Sequence, residues 1–75
     1  ETMHATREAG VRHLDRHLAR LARSAQALGF VCDEIEIREA IQLECGRLAA
    51  DAPHRMRLGL ARSGRFDVIV QPLAA

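Results

Sequence analysis

The apolar period of this chain changes twice along its length, and each change marks an element. Met3 and Ala5 stand on one side of the stretch Glu1 to Arg7, a mixed segment that fits a strand. Glu8-Ala9-Gly10 follows as a connection ending in glycine, the residue suited to the left-handed position of a bulged turn. Val11 to Leu14 returns as a second strand. Leu14, Leu18, Leu21, Ala25 and Leu28 then recur at spacings of three and four, which is an amphipathic helix. Asp15 is its expected N-cap and Gly29 its C-cap.

A second helix begins at an acidic capping box, Asp33 with Glu36, flanked by a Cys32–Ile37 staple. Ile37, Ala40, Ile41, Cys45 and Leu48 carry its apolar face, and Pro53 prevents continuation. The period then falls to two. Met56, Leu58 and Leu60 alternate with Arg55, Arg57 and Gly59, and Phe66, Val68 and Val70 answer them. Pairing Leu60 with Phe66 puts all these apolar residues on one face and leaves Arg62-Ser63-Gly64 as the loop, with Gly64 left-handed. The elements spell β-β-α-α-β-β, an α+β fold with two helices packed on one face of a small antiparallel sheet. Residues 1–75 form a single domain. The sequence starts inside a strand candidate and ends just past another, so a partial domain is expected.

Composition narrows the chemistry. All 11 basic residues are arginine, and the absence of lysine removes a Schiff base on a side-chain amine and any P-loop within the chain. Phe30 and Phe66 are the only aromatics, so base-stacking platforms for single strands have little to build on. The formal charge of +1 gives no strong pull toward nucleic acid or membrane. No apolar run approaches the roughly 20 residues that cross a bilayer. Two cysteines are too few for a disulfide scaffold, and the reduced, cytoplasmic setting is the expected one. Cys32 and Cys45 are also separated by roughly 19 Å of helix at 1.5 Å per residue, beyond the reach of a bridge.

Three clusters could carry chemistry. His13 and His17 have metal-pair spacing if both are helical, but no third ligand accompanies them, so two surface histidines are expected and no metal. At roughly 100° per residue, Arg12, Arg16 and Arg23 fall opposite the leucine stripe. Arg20 turns toward the flank that holds His17 and Ser24. There a guanidinium, an imidazole and a hydroxyl make an anion-binding cluster, set against the plainer reading of a solvated face. Arg55 and Arg57 lie on the strand face opposite Met56 and Leu58, a face for solvent or for a covering domain.

The segments Glu1-Thr2-Met3, Leu14-Asp15-Arg16-His17-Leu18-Ala19-Arg20-Leu21-Ala22-Arg23-Ser24-Ala25 and Leu28-Gly29-Phe30 resemble the small N-terminal domain of class IV pyridoxal-phosphate enzymes. That family includes D-amino-acid and branched-chain aminotransferases and 4-amino-4-deoxychorismate lyase. The tail, from His54-Arg55-Met56-Arg57-Leu58 through Arg62-Ser63-Gly64-Arg65 to Pro72-Leu73, is most similar to the lyase branch, in particular to lyase domains fused behind the synthase subunit that makes p-aminobenzoate for folate. The resemblance implies that Arg20 holds the cofactor phosphate, with His17 beside it, and that Glu1 lines the active site. It implies no catalytic residue in this chain, because the family's Schiff-base lysine belongs to a larger, later domain. That domain and a homodimeric whole are the implied partners, and pyridoxal phosphate the implied cofactor.

Two function classes follow: a cofactor-binding piece of a lyase or aminotransferase, and a non-enzymatic domain using an arginine face on RNA or a protein.

Overall fold

The computed structural model describes residues 2–73. Its elements, in chain order, are β1 (Thr2–Thr6), β2 (Gly10–Val11), α1 (Leu14–Leu28), α2 (Glu34–Gly46), β3 (His54–Leu60) and β4 (Phe66–Pro72). The four strands form one sheet in the order β2-β1-β3-β4, antiparallel at every junction. Both helices pack on one face, the α+β arrangement that the apolar periods foretell.

The β3–β4 hairpin has the expected register: Met56 opposite Val70, Leu58 opposite Val68, Leu60 opposite Phe66. Its loop closes by Ala61 N–H to Arg65 O at 2.8 Å and Gly64 N–H to Ala61 O at 3.0 Å. Gly64 sits at φ 96, as a bulged turn requires. β1 then pairs with β3 through Met3 opposite Met56 and Ala5 opposite His54. This brings Met3, Ala5, Met56 and Leu58 onto the face where Leu18, Ile37 and Ile41 close the core. His54, the buried polar residue of this face, is satisfied by donating from Nδ1 to Ala52 O at 2.9 Å.

Several boundaries differ from the sequence reading. The first turn is Arg7-Glu8-Ala9, and Gly10 stands in the ladder opposite Thr6. β2 stops at Val11 rather than Leu14 because His13 turns into the left-handed region at φ 57 and becomes the N-cap of α1. Asp15 is therefore not the cap. It lies in the first turn, where a carboxylate favours the positive end of the helix, and its Oδ1 accepts from Arg38 Nη2 of α2 at 2.8 Å. Leu28 does not join the buried stripe; it is 65% exposed in the last turn, past the end of the core.

For α2 the expected start holds. Asp33 Oδ1 accepts from Glu36 N–H at 3.1 Å, and Ile37 and Ile41 are fully buried. The helix ends earlier than expected, at Gly46 with Arg47 as C-cap, so Leu48 is buried from beyond the helix rather than on it. Near its end, Glu44 Oε1 accepts from Arg47 Nη1 at 3.3 Å.

Candidate functional site

The anion cluster is built on α1. His13 closes the helix start, accepting on its carbonyl the His17 N–H at 3.0 Å. One turn later Arg20 Nη2 donates to His17 Nδ1 at 3.4 Å. Accepting that bond puts the ring proton of His17 on Nε2, away from the guanidinium. The imidazole thus braces the fork of Arg20, a planar group of the kind that meets two oxygens at once. The expected pairing of Arg20 with His17 on one flank is present. His13 stands outside the helix, so the two histidines do not form an i, i+4 pair on a helical face. Glu1 lies outside the described residues.

Arg20 does not stand alone in its hollow. A concavity of about 500 Å³ is lined by His13, Arg16, His17, Ala19, Arg20 and Arg23. Arg16 and Arg23, read from the helical period as lying away from the cluster, line the same groove. The signal for this was in the sequence, since 13, 16, 20 and 23 follow the i, i+3, i+4 rule for helix neighbours. Among the described residues the lining of the groove comes from α1 and its cap alone. One helix makes one wall.

Two further hollows have Thr2 in their lining. One, of about 250 Å³, is lined by Thr2, His4, Arg12, His13 and His17, and shares both histidines with the groove. The other, of about 270 Å³, lies on the open sheet face among Thr2, Arg55, Arg57, Ile69 and Gln71. The ladder explains it: Thr2, Arg57 and Ile69 form one cross-strand row, and His4, Arg55 and Gln71 the next. His4 and Thr2 escaped the sequence reading because only the β1–β3 pairing, a contact across some fifty residues of chain, puts them beside the arginines.

The two thiols are free and carry no site chemistry. Burial pushes both thiols up, and nearby carboxylates add to it: Glu34 and Asp33 at Cys32, Glu44 at Cys45. A thiol held protonated is a poor nucleophile and metal ligand. Among the described residues no three histidine, cysteine or acidic side chains group to hold a metal. No helix among them is long and apolar enough to cross a membrane.

A guanidinium braced by an imidazole, beside further arginines, is a donor set for a phosphate or carboxylate. The model of the amino-transferase class IV family matches the chain over residues 1–74. The chain belongs to that family. No curated relative and no solved structure matches it.

Proposed function

We propose that this chain is the phosphate-gripping part of a pyridoxal-phosphate enzyme, with Arg20 on the cofactor phosphate and His17 holding that arginine in place. The observation that carries the reading is the Arg20 fork braced by His17 in a groove of arginines, in a chain matched to the family over residues 1–74. The donor set fits the group: a planar guanidinium meets two phosphate oxygens in parallel, and further arginines line the same groove. When bound, pyridoxal phosphate supplies the electron sink for carbanionic charge on an amino substrate. This chain supplies binding and orientation. The lysine that family chemistry needs must come from another part of the polypeptide, because no lysine occurs here.

Within the family, the tail from His54 to Leu73 favours the 4-amino-4-deoxychorismate lyase branch, and with it p-aminobenzoate formation in a synthase fusion. A D-amino-acid or branched-chain aminotransferase is the second reading, since both share the His17-x-x-Arg20-Leu21 core. Turnover of 4-amino-4-deoxychorismate to p-aminobenzoate by the enzyme containing this chain, without an added amino acceptor, selects the first. Dependence on an oxo-acid acceptor selects the second.

Cofactor grip is tested on the chain itself with pyridoxine 5′-phosphate, which lacks the aldehyde and so reports phosphate binding alone. The parent chain should bind it in preference to unphosphorylated pyridoxine. Arg20→Ala should weaken binding by roughly one to two orders of magnitude, since hydrogen bonds to charged groups contribute about 1.5–3 kcal/mol. Arg20→Lys should recover only part, because an ammonium lacks the fork. Equal binding of the two ligands, or no loss in Arg20→Ala, overturns the reading.

A further inference from the structure

We propose that β4 is a docking edge for a second copy of this chain. Two β4 strands pair antiparallel about a two-fold axis at Ile69 and join two four-stranded sheets into one. Phosphate binding by Arg20 takes place elsewhere on the fold, on α1, and neither depends on the other.

The backbone ladder shows which groups of β4 face outward. In an antiparallel hairpin, hydrogen-bonded pairs alternate with non-bonded ones. Ala61 N–H to Arg65 O at 2.8 Å opens the β3–β4 ladder, and Leu73 N–H to Pro53 O at 3.2 Å closes it. Counted by twos between these ends, Asp67, Ile69 and Gln71 turn their backbone groups to β3, and Phe66, Val68, Val70 and Pro72 turn theirs outward. Among the described residues no strand lies beyond β4. The opposite edge, β2, is two residues long and makes a poor template, whereas β4 runs for seven with proline only at its last position. The core also thins at this edge. Met56 and Leu58 on β3 are 0% and 3% exposed, but Val70 and Val68 across from them are only half-buried, as is Phe66. On the other face Ile69 is 49% exposed.

A second copy fits this edge because the strand is its own complement. With Ile69 opposite Ile69 of the second copy, Val68 falls opposite Val70, Phe66 opposite Pro72 and Asp67 opposite Gln71. The outward N–H groups of Phe66, Val68 and Val70 then each meet a carbonyl of the other strand, and Pro72, which has no N–H, supplies its carbonyl alone. On the helix side the valines of both copies cover what each sheet leaves open. On the other side the two isoleucines meet at the close, non-bonded spacing of about 4.5 Å between α-carbons. Asp67 stands across from Gln71, a carboxylate opposite an amide donor. Centring the axis on Val68 instead sets Asp67 against Ile69, so the apolar pattern selects one register. The axis uses up the long edge of both copies, and assembly stops at two. Seven residues a side bury less than the roughly 1,600 Å² of a standard interface, so the dissociation constant falls at about micromolar or weaker.

Sedimentation velocity of the chain, from about 10 µM to about 1 mM, should show a reversible monomer–dimer equilibrium and no larger species. Ile69→Lys and Ile69→Glu each place like charges across the axis, and each alone should weaken the dimer about tenfold or more. Mixed one to one, the two variants should associate again, because position 69 faces itself. Ile69 lies on the face away from the helices, so both variants should keep the circular dichroism of the parent. Leu43→Lys, at an apolar residue of α2 that is 59% exposed, is the control and should dimerise like the parent. A chain that stays monomeric throughout, or one that grows past the dimer, defeats the proposal. So does an unimpaired dimer in Ile69→Lys, or a mixture of the Lys and Glu variants that stays monomeric. Loss of the dimer in Leu43→Lys alone would move the contact to the helices and defeat it too.

Discussion

Val31 leans on Gly64 across the two halves of the chain: its Cγ1 stands 2.8 Å from the point that a β-carbon on the glycine would occupy. The same linker is held twice more. Val31 N–H donates to Arg62 O at 3.0 Å, and the Arg62 guanidinium lies 5.9 Å from the centre of the Phe30 ring. The tip of the β3–β4 hairpin is thereby clipped to the turn between the helices. This contact fixes where α1 ends relative to the sheet.

Replacing Gly64 should therefore cost more than its backbone angle alone. Gly10 and Gly64 are both left-handed, but a β-carbon at Gly10 meets nothing within 4 Å. Gly10→Ala should lose about 1–2 kcal/mol, the conformational cost for an L-residue. Gly64→Ala should lose more, and Val31→Ala combined with it should restore most of the difference. Urea unfolding of the four proteins measures this; equal losses at Gly10 and Gly64 would show the Val31 contact to be slack.

The two acidic residues that open the helices should differ in weight. Asp33→Ala removes the N-cap bond to Glu36 N–H and should cost about 1 kcal/mol. Asp15→Asn breaks the link to Arg38, yet the Asp15 side chain is 87% exposed, and such pairs contribute at most about 1 kcal/mol, usually less. The loss in Asp15→Asn should shrink further in 1 M salt, and that in Asp33→Ala should not. A larger loss at Asp15 than at Asp33 would contradict the assignment of the caps.

Stability should fall above about pH 8.5, and the thiols should be the cause. With neither lysine nor tyrosine in the chain, Cys32 and Cys45 are the side chains that titrate on the alkaline side below arginine. Both are pushed up in the folded state, chiefly by burial. Below the ordinary thiol value of about 8.5 both states keep these protons, and the thiols give no slope. As pH rises past it the unfolded chain releases them first, so the folded state weakens until its own thiols ionise. The urea midpoint of the parent should drop from pH 8 to 10.5, whereas a Cys32→Ala, Cys45→Ala double variant should hold a flat one. Parallel curves would refute the explanation.

Incubation with pyridoxal 5′-phosphate followed by borohydride should add mass only at the terminal amine, since no side-chain amine is present to form an imine. Digestion at arginine followed by mass spectrometry locates any adduct. A pyridoxyl group on an internal peptide would be incompatible with this account.

What the residues determined alone is what neighbours along the chain can decide. Alternation on both sides of Ala61–Arg65 admits one register that keeps Met56, Leu58, Leu60, Phe66, Val68 and Val70 together, and the hairpin adopts it. Asp33 caps α2 because its side chain needs only a backbone three residues ahead. Arg20 and His17 meet because a helix turn brings positions three apart together. The tertiary structure decided the rest. The place of β1 between β2 and β3 is a pairing of distant segments that no local period encodes, and it alone puts Thr2 and His4 beside Arg57 and Arg55. The start of α1 passed from Asp15 to His13, where the chain must turn sharply out of β2, and Asp15 was left to reach Arg38 on the other helix.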